Sequence, residues 1–115
     1  MKESPLFWPA HIKGNTLFVS GQIAINPATG QIDMSTIENE TKQVMENVKS
    51  IIESAGMRMS DIAKTSIFLS DMNLFSKVNE VYGKYFSENP PARETVQVAR
   101  LPKNVNVEIS VTAIK

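Results

Sequence analysis

The segment PPARETVQVARLPKNVNVEI, residues 90–109, decides how the chain is read. ETVQVA has the alternation of a β-strand, and VNVEISVTAI is a second such run, with Pro102 and Asn104 in the loop between them. In the last run Val105, Val107, Ile109, Val111 and Ala113 share one parity, while Asn106, Glu108, Ser110, Thr112 and Ile114 share the other. Side chains alternate across a strand, so one face is built for a core and the other is only semi-polar. Two charges stand out. Arg93 follows two prolines and an alanine at the mouth of the first run, and Glu108, fifteen positions on, interrupts the second.

Upstream, ENPPA stops a helix, because proline disfavours helical backbone at Asn89. That helix has Asp71 as a candidate cap and Leu74, Phe75, Val78, Val81, Tyr82, Tyr85 and Phe86 as a broad apolar side. DIAKTSIFLS reads as a strand with Ala63, Thr65, Ile67 and Leu69 on one face. An earlier helix starts at STIE, where Ser35 and Glu38 form a capping box. Its stripe is Ile37, Thr41, Val44, Val48, Ile51, Ile52 and Ala55, and Gly56 supplies its C-terminal cap. GNTLFVSGQIAI is a strand after a Gly-Asn turn, and LFWPAHIK is its edge partner, held to the edge by Pro9.

The predicted order is β, β, α, β, α, β, β. Two helices with single apolar stripes suit one face of one sheet. The β–α–β stretches predict parallel crossovers and the last two strands an antiparallel hairpin, hence a mixed sheet with Arg93 and Glu108 on adjoining strands. The second sheet face, half apolar and uncovered, predicts homo-oligomerisation.

Composition sets outer bounds. With 115 residues and 42% hydrophobic content the chain suits a single domain over residues 1–115. Twelve basic and twelve acidic side chains give zero net charge, which argues against a nucleic-acid binder. With no cysteine there is no thiolate nucleophile or zinc–sulfur site, and one histidine with scattered acids suits no dedicated metal site. No run reads as a signal peptide or a membrane span, so a soluble cytoplasmic protein without membrane partners is expected.

Residue type alone leaves each candidate two readings. Arg93 is a planar fork that can grip a carboxylate at two points, or an ordinary surface arginine at a strand start. Glu108 is a general base for water, or a solvated acid on a polar face with Ser110 and Thr112. Ser20 and Gly21 end a strand where backbone amides could approach an anionic oxygen; such a dipeptide is common. His11, on the edge strand, has no evident role as a base for Ser20.

GNTLFVSGQIAINPATGQI, FLSDMNLFSKVNEVYGKYF and above all PPARETVQVARLPKNVNVEI resemble the RidA/YjgF family of reactive intermediate deaminases, in the same order, from about Gly14 to the C-terminus. The PAR stretch followed by VARLPK and VEI is the family's signature. The resemblance implies a chorismate-mutase-like α+β domain, assembled as a homotrimer with a central β-barrel and three clefts between subunits. It implies hydrolysis of 2-imino acids and their enamine tautomers to 2-keto acids and ammonia, without a cofactor. Position by position, Arg93 matches the arginine that binds the substrate carboxylate, and Glu108 the acid that positions or activates water. Ser20 and Gly21 match residues lining the same cleft, and Thr95 and Phe7 are further substrate-binding positions. One departure is at the start, where the family usually has GPYSQA and this chain has PLFWPA. Phe7 stands in the place of a tyrosine, which forfeits a hydroxyl worth about 0.5–1.5 kcal/mol if it bonds substrate. The alternative within the resemblance is a trimeric binding or regulatory protein that holds small keto acids in the same clefts without turnover. Ribonuclease activity, claimed for some relatives, sits poorly with zero net charge and no basic aromatic surface.

Overall fold

The computed structural model describes residues 9–115; Phe7 and Trp8 lie outside the described residues. Its elements are β1 (Ala10–Lys13), β2 (Thr16–Gln22), α1 (Ile37–Ser54), β3 (Ile62–Leu69), α2 (Phe75–Gly83), β4 (Ala92–Gln97) and β5 (Val107–Ile114). The predicted order of elements holds. The five strands form one mixed sheet in the order β1-β2-β5-β3-β4.

That order corrects the terminal hairpin. β5 does not pair with β4 but inserts between β2 and β3, antiparallel to both. The parallel crossover from β3 through α2 to β4 is present, whereas β2 and β3 run in the same direction with β5 between them. The cause is composition. β5 carries the longest run of apolar inward residues, Val107, Ile109, Val111 and Ala113, all buried, so the centre of the sheet is where it loses most water. β4, mostly exposed, takes the edge. The connection passes through a short 3-10 turn at Pro102–Asn104, with Lys103 and Asn104 both at positive φ.

Both helices cover the same sheet face, and α1 seals the core. Thr41, Val44, Val48 and Ile52 are buried as predicted, joined by Met45 and Glu40, and each fully buried aliphatic side chain contributes about 1.5–3 kcal/mol. The N-cap is Thr36, not Ser35. Its side chain accepts from the Asn39 amide at 3.0 Å, while the Ser35 hydroxyl is drawn off to donate to Asp33 at 2.6 Å. A neighbouring carboxylate outcompetes the helix end for that hydroxyl. Gly56, at φ 75, takes the left-handed turn that ends α1. Asp71 caps a short 3-10 turn at Met72–Leu74 that leads into α2.

One face assignment shifts. In β3 the core residue is Ile62 rather than Ala63, because a bulge between Ile62 and Lys64 inserts an extra residue and restores the alternation from Thr65 onward. On the opposite, uncovered face lie Phe18, Val96 and Ile114, all exposed. No helix among the described residues is long and apolar enough to cross a membrane.

Candidate functional site

Glu108 sits in the central strand, on the uncovered face. Its register partner on β3 is Phe68, and across β5 lies a bulge in β2, where Val19 pairs with Val111 but Gln22 with Ile109. The bulge lifts Gly21 against the carboxylate, so closely that a Cβ at Gly21 would stand 1.7 Å from Glu108 Oε2. A side chain at this position would push the carboxylate aside, so glycine is what lets the two sit together. Burial raises the Glu108 pKa above its ordinary value, since water withdrawn from the carboxyl penalises the charged form. The neighbouring Ser20 hydroxyl donates to the Pro9 carbonyl at 3.1 Å.

Arg93 lies elsewhere. It pairs with the buried Thr65 on β3, which puts its side chain on the helix-covered side. There the guanidinium packs over the rings of Phe75 and Tyr82, at 5.6 and 5.3 Å from their centroids, and donates from Nη1 to the Asn79 side chain. Stacking on two rings fixes the plane of the fork, so few rotamers are left to lose on binding a carboxylate. Among the described residues no carboxylate pairs with it. Asn79, Tyr82, Phe86, Pro90 and Pro91 surround it with a cavity of about 430 Å³, inside the size range of small-molecule sites. Two positions along β4, Thr95 keeps its Oγ1 buried with no hydrogen-bond partner, a hydroxyl with bonding capacity to spare.

Arg93 and Glu108 are therefore not on adjoining strands. β3 separates β4 from β5, and the two side chains leave opposite faces of the sheet. Within one chain they open into different environments. What a single chain brings together is Glu108 with Gly21 on the open face, and Arg93 with Asn79, Phe75 and Tyr82 at the covered edge. These last three were passed over in the sequence, where Phe75 and Tyr82 read as core. The signal was available, because Phe75, Asn79 and Tyr82 recur at helical spacing and so present one face to whatever lies beside α2. His11 faces Phe18 across β1 and β2 and lines a hollow with Ser20, Ser110 and Thr112, away from Arg93. No group of three or more His, Asp or Glu among the described residues could hold a metal ion.

The family model described as Endoribonuclease L-PSP matches residues 5–115, nearly the entire chain. The chain belongs to the RidA/YjgF family. Among its relatives in that family is a RutC family protein of Pyrococcus horikoshii, 51% identical over 102 residues, which span 89% of this chain and 81% of the relative. The 2-iminobutanoate/2-iminopropanoate deaminase of Escherichia coli K12 is 43% identical over 105 residues, with the same coverage of 89% and 81%. Of solved RidA/YjgF folds, the E. coli YjgF gene product superposes with a TM-score of 0.90 at 40% identity, over 95% of this chain and 87% of that one. E. coli TdcF with bound serine gives 0.91 at 38% identity, over 99% and 91%. The mixed sheet with two helices on one face is thus the RidA/YjgF fold.

Proposed function

We propose that the chain hydrolyses reactive 2-imino acids, with Arg93 gripping the carboxylate and Glu108 handling water and proton. The observation that carries this is the Arg93 site: a guanidinium held flat by two rings and one amide, free of any described carboxylate, facing a small-molecule cavity. Such a site wants a small carboxylic acid. Two relatives agree in kind, one named for imine deamination and one crystallised with serine, itself an amino acid.

In the reaction a protonated imine, R–C(=NH₂⁺)–COO⁻, takes up water and yields R–CO–COO⁻ and NH₄⁺. The imine carbon is already electrophilic, so orientation and proton transfer supply the catalysis. Glu108 removes a proton from the attacking water and passes it to the departing nitrogen. In the single chain burial pushes the Glu108 carboxyl upward, toward the range in which a group can both take and give a proton.

Since the two side chains point to opposite faces of one sheet, the proposal requires two subunits. The outer edge of β4 on one copy, carrying Arg93, meets the open face of the next, carrying Glu108 and Gly21. Phe18, Val96 and Ile114 supply the apolar surface for that contact. Threefold repetition of such a contact closes a ring with three shared clefts around a barrel.

The test is subunit complementation. An imine is generated in situ from an amino acid with an amino-acid oxidase, and keto-acid release is followed against a trapping amine. Arg93→Ala and Glu108→Gln should each give near-background rates. Unfolded together in equal amounts and refolded, they should regain activity in about a quarter of the clefts, those that receive the intact arginine from one variant and the intact acid from the other. No recovery, with native mass confirming mixed trimers, would sink the shared cleft. Wild type that binds pyruvate or 2-oxobutanoate without accelerating any imine would make the protein a binding module instead.

A further inference from the structure

We infer that the cavity beside Arg93 receives the substrate's side chain, and that Gly83 sets its capacity in favour of branched or aromatic imino acids over those with one or two side-chain carbons. This rests on the proposed deaminase reading and names the substrate class within it. The cavity of about 430 Å³ has the guanidinium at one side. Away from Arg93 and Asn79 its wall is carbon: the Tyr82 and Phe86 rings, 4.9 Å apart between centroids, and the rings of Pro90 and Pro91. A ligand that places an anionic head on Arg93 therefore projects its remainder toward an aromatic and prolyl wall. A methyl or ethyl group would leave most of that wall wet, whereas an isobutyl or benzyl group would cover it.

Gly83 also lines the cavity, at the last position of α2. A Cβ added there would meet nothing within 4 Å, so a larger side chain has room to stand at the cavity wall. Its φ is not in the left-handed region, and nothing about the backbone requires glycine. Glycine is a weaker helix former than leucine or alanine, so a larger residue is compatible with the end of α2. Leucine at this point fills the space that a substrate side chain would occupy.

The experiment compares kcat/KM for imines generated from alanine, 2-aminobutanoate, leucine and phenylalanine, in wild type and Gly83→Leu, with thermal melts to establish that both are folded. One methylene in an apolar pocket is worth about 10-fold or more in kcat/KM. Wild type should favour the leucine and phenylalanine imines over the alanine imine by at least that factor, and Gly83→Leu should lower the large-to-small ratio by about 10-fold or more. An unchanged ratio in folded Gly83→Leu, or a wild-type preference for the alanine imine, overturns the inference. Affinities for pyruvate, 4-methyl-2-oxopentanoate and phenylpyruvate, measured by calorimetry on the same two proteins, separate the pocket from turnover. If those affinities follow the predicted ranking while no imine is accelerated, only the deaminase reading falls. If alanine imine is hydrolysed but neither rates nor affinities follow the ranking, only the pocket falls.

Discussion

A single methyl group placed at Gly21 isolates the contribution of Glu108. The added Cβ would lie 1.7 Å from Glu108 Oε2, 2.6 Å from Cδ and 2.9 Å from Cγ. Comfortable carbon contacts begin at about 3.5 Å, so the carboxylate must retreat by roughly 2 Å. The obstructing atoms are the end of a flexible side chain rather than backbone, and Gly21 is not at positive φ. The fold therefore survives Gly21→Ala, with a side-chain strain of about 0.5–1.5 kcal/mol and a fall in Tm of about 4–8 °C for each kcal/mol. Catalysis is less tolerant. A misplacement of about 1 Å can cost 100-fold, and a general acid–base supplies about 100- to 10,000-fold. The expected loss in kcat is about 100-fold, or about 2.7 kcal/mol in barrier, unless the uncatalysed rate is reached first. The assay is keto-acid release from an imine made in situ, with a thermal melt alongside. Because Gly21→Ala acts through Glu108, the double variant with Glu108→Gln should be no slower than Glu108→Gln alone. A folded Gly21→Ala within about threefold of the wild-type rate would refute the reasoning, since general acid–base catalysis depends on placement.

Glu108 also predicts a pH effect of definite sign. Its folded pKa is raised by burial, so its contribution to stability is fully present below the unfolded value and is lost as pH rises through the folded one. Glu108→Gln should therefore melt higher than wild type at pH 7, with the gap closing toward pH 4, while its activity falls by about 100-fold or more; a gap that widens in acid would reverse the sign. Glu40→Ala attacks the core instead. The buried Glu40 carboxylate accepts from Asn106 N at 2.8 Å, Asn106 Nδ2 at 2.9 Å and Val107 N at 3.3 Å. Hydrogen bonds to a charged group are worth about 1.5–3 kcal/mol each, so this variant should lose at least about 3 kcal/mol in a denaturant titration. A loss below about 1 kcal/mol would mean that water replaces the carboxylate.

Much of this was legible in the sequence, and the failures have causes. The strict alternation of Val107, Ile109, Val111 and Ala113 announced a strand with one buried face, and the stripe from Thr41 to Ile52 announced the helix that covers it. Strand order was not legible. A short loop between two strands usually makes a hairpin, but that local rule carries no information about a vacancy between β2 and β3, which the most apolar strand fills. Glu40 was read past because a carboxylate within an apolar stripe looks like an interruption. Its three partners lie sixty-six or sixty-seven residues away, beyond any periodicity. Helical spacing put Asn79 on one face with Phe75 and Tyr82, but its partner was hidden by the same non-locality. Its link to Arg93 joins α2 to the edge strand, and neither residue type signals the other.

A sheet covered on one side leaves two surfaces unfinished, its bare face and its outer edge. The bare face here mixes Phe18, Val96 and Ile114 with Glu108, and the edge strand β4, which carries Arg93, has no strand partner on its outer side among the described residues. Unpaired strand edges and apolar patches are what a folded protein ordinarily covers. A neighbour that covers both with one contact lays an edge on a face, and an edge laid on a face is also what sets a guanidinium beside a carboxylate that its own sheet keeps apart. Their separation within one chain is then no obstacle to chemistry. In the proposed shared cleft it ties the formation of the site to assembly. A carboxylate lodged beside an arginine in a lone subunit would have its pKa pulled down by the cation. On the bare face of the single chain Glu108 is governed by burial, and its pKa moves upward; in the proposed shared cleft the incoming Arg93 opposes that shift.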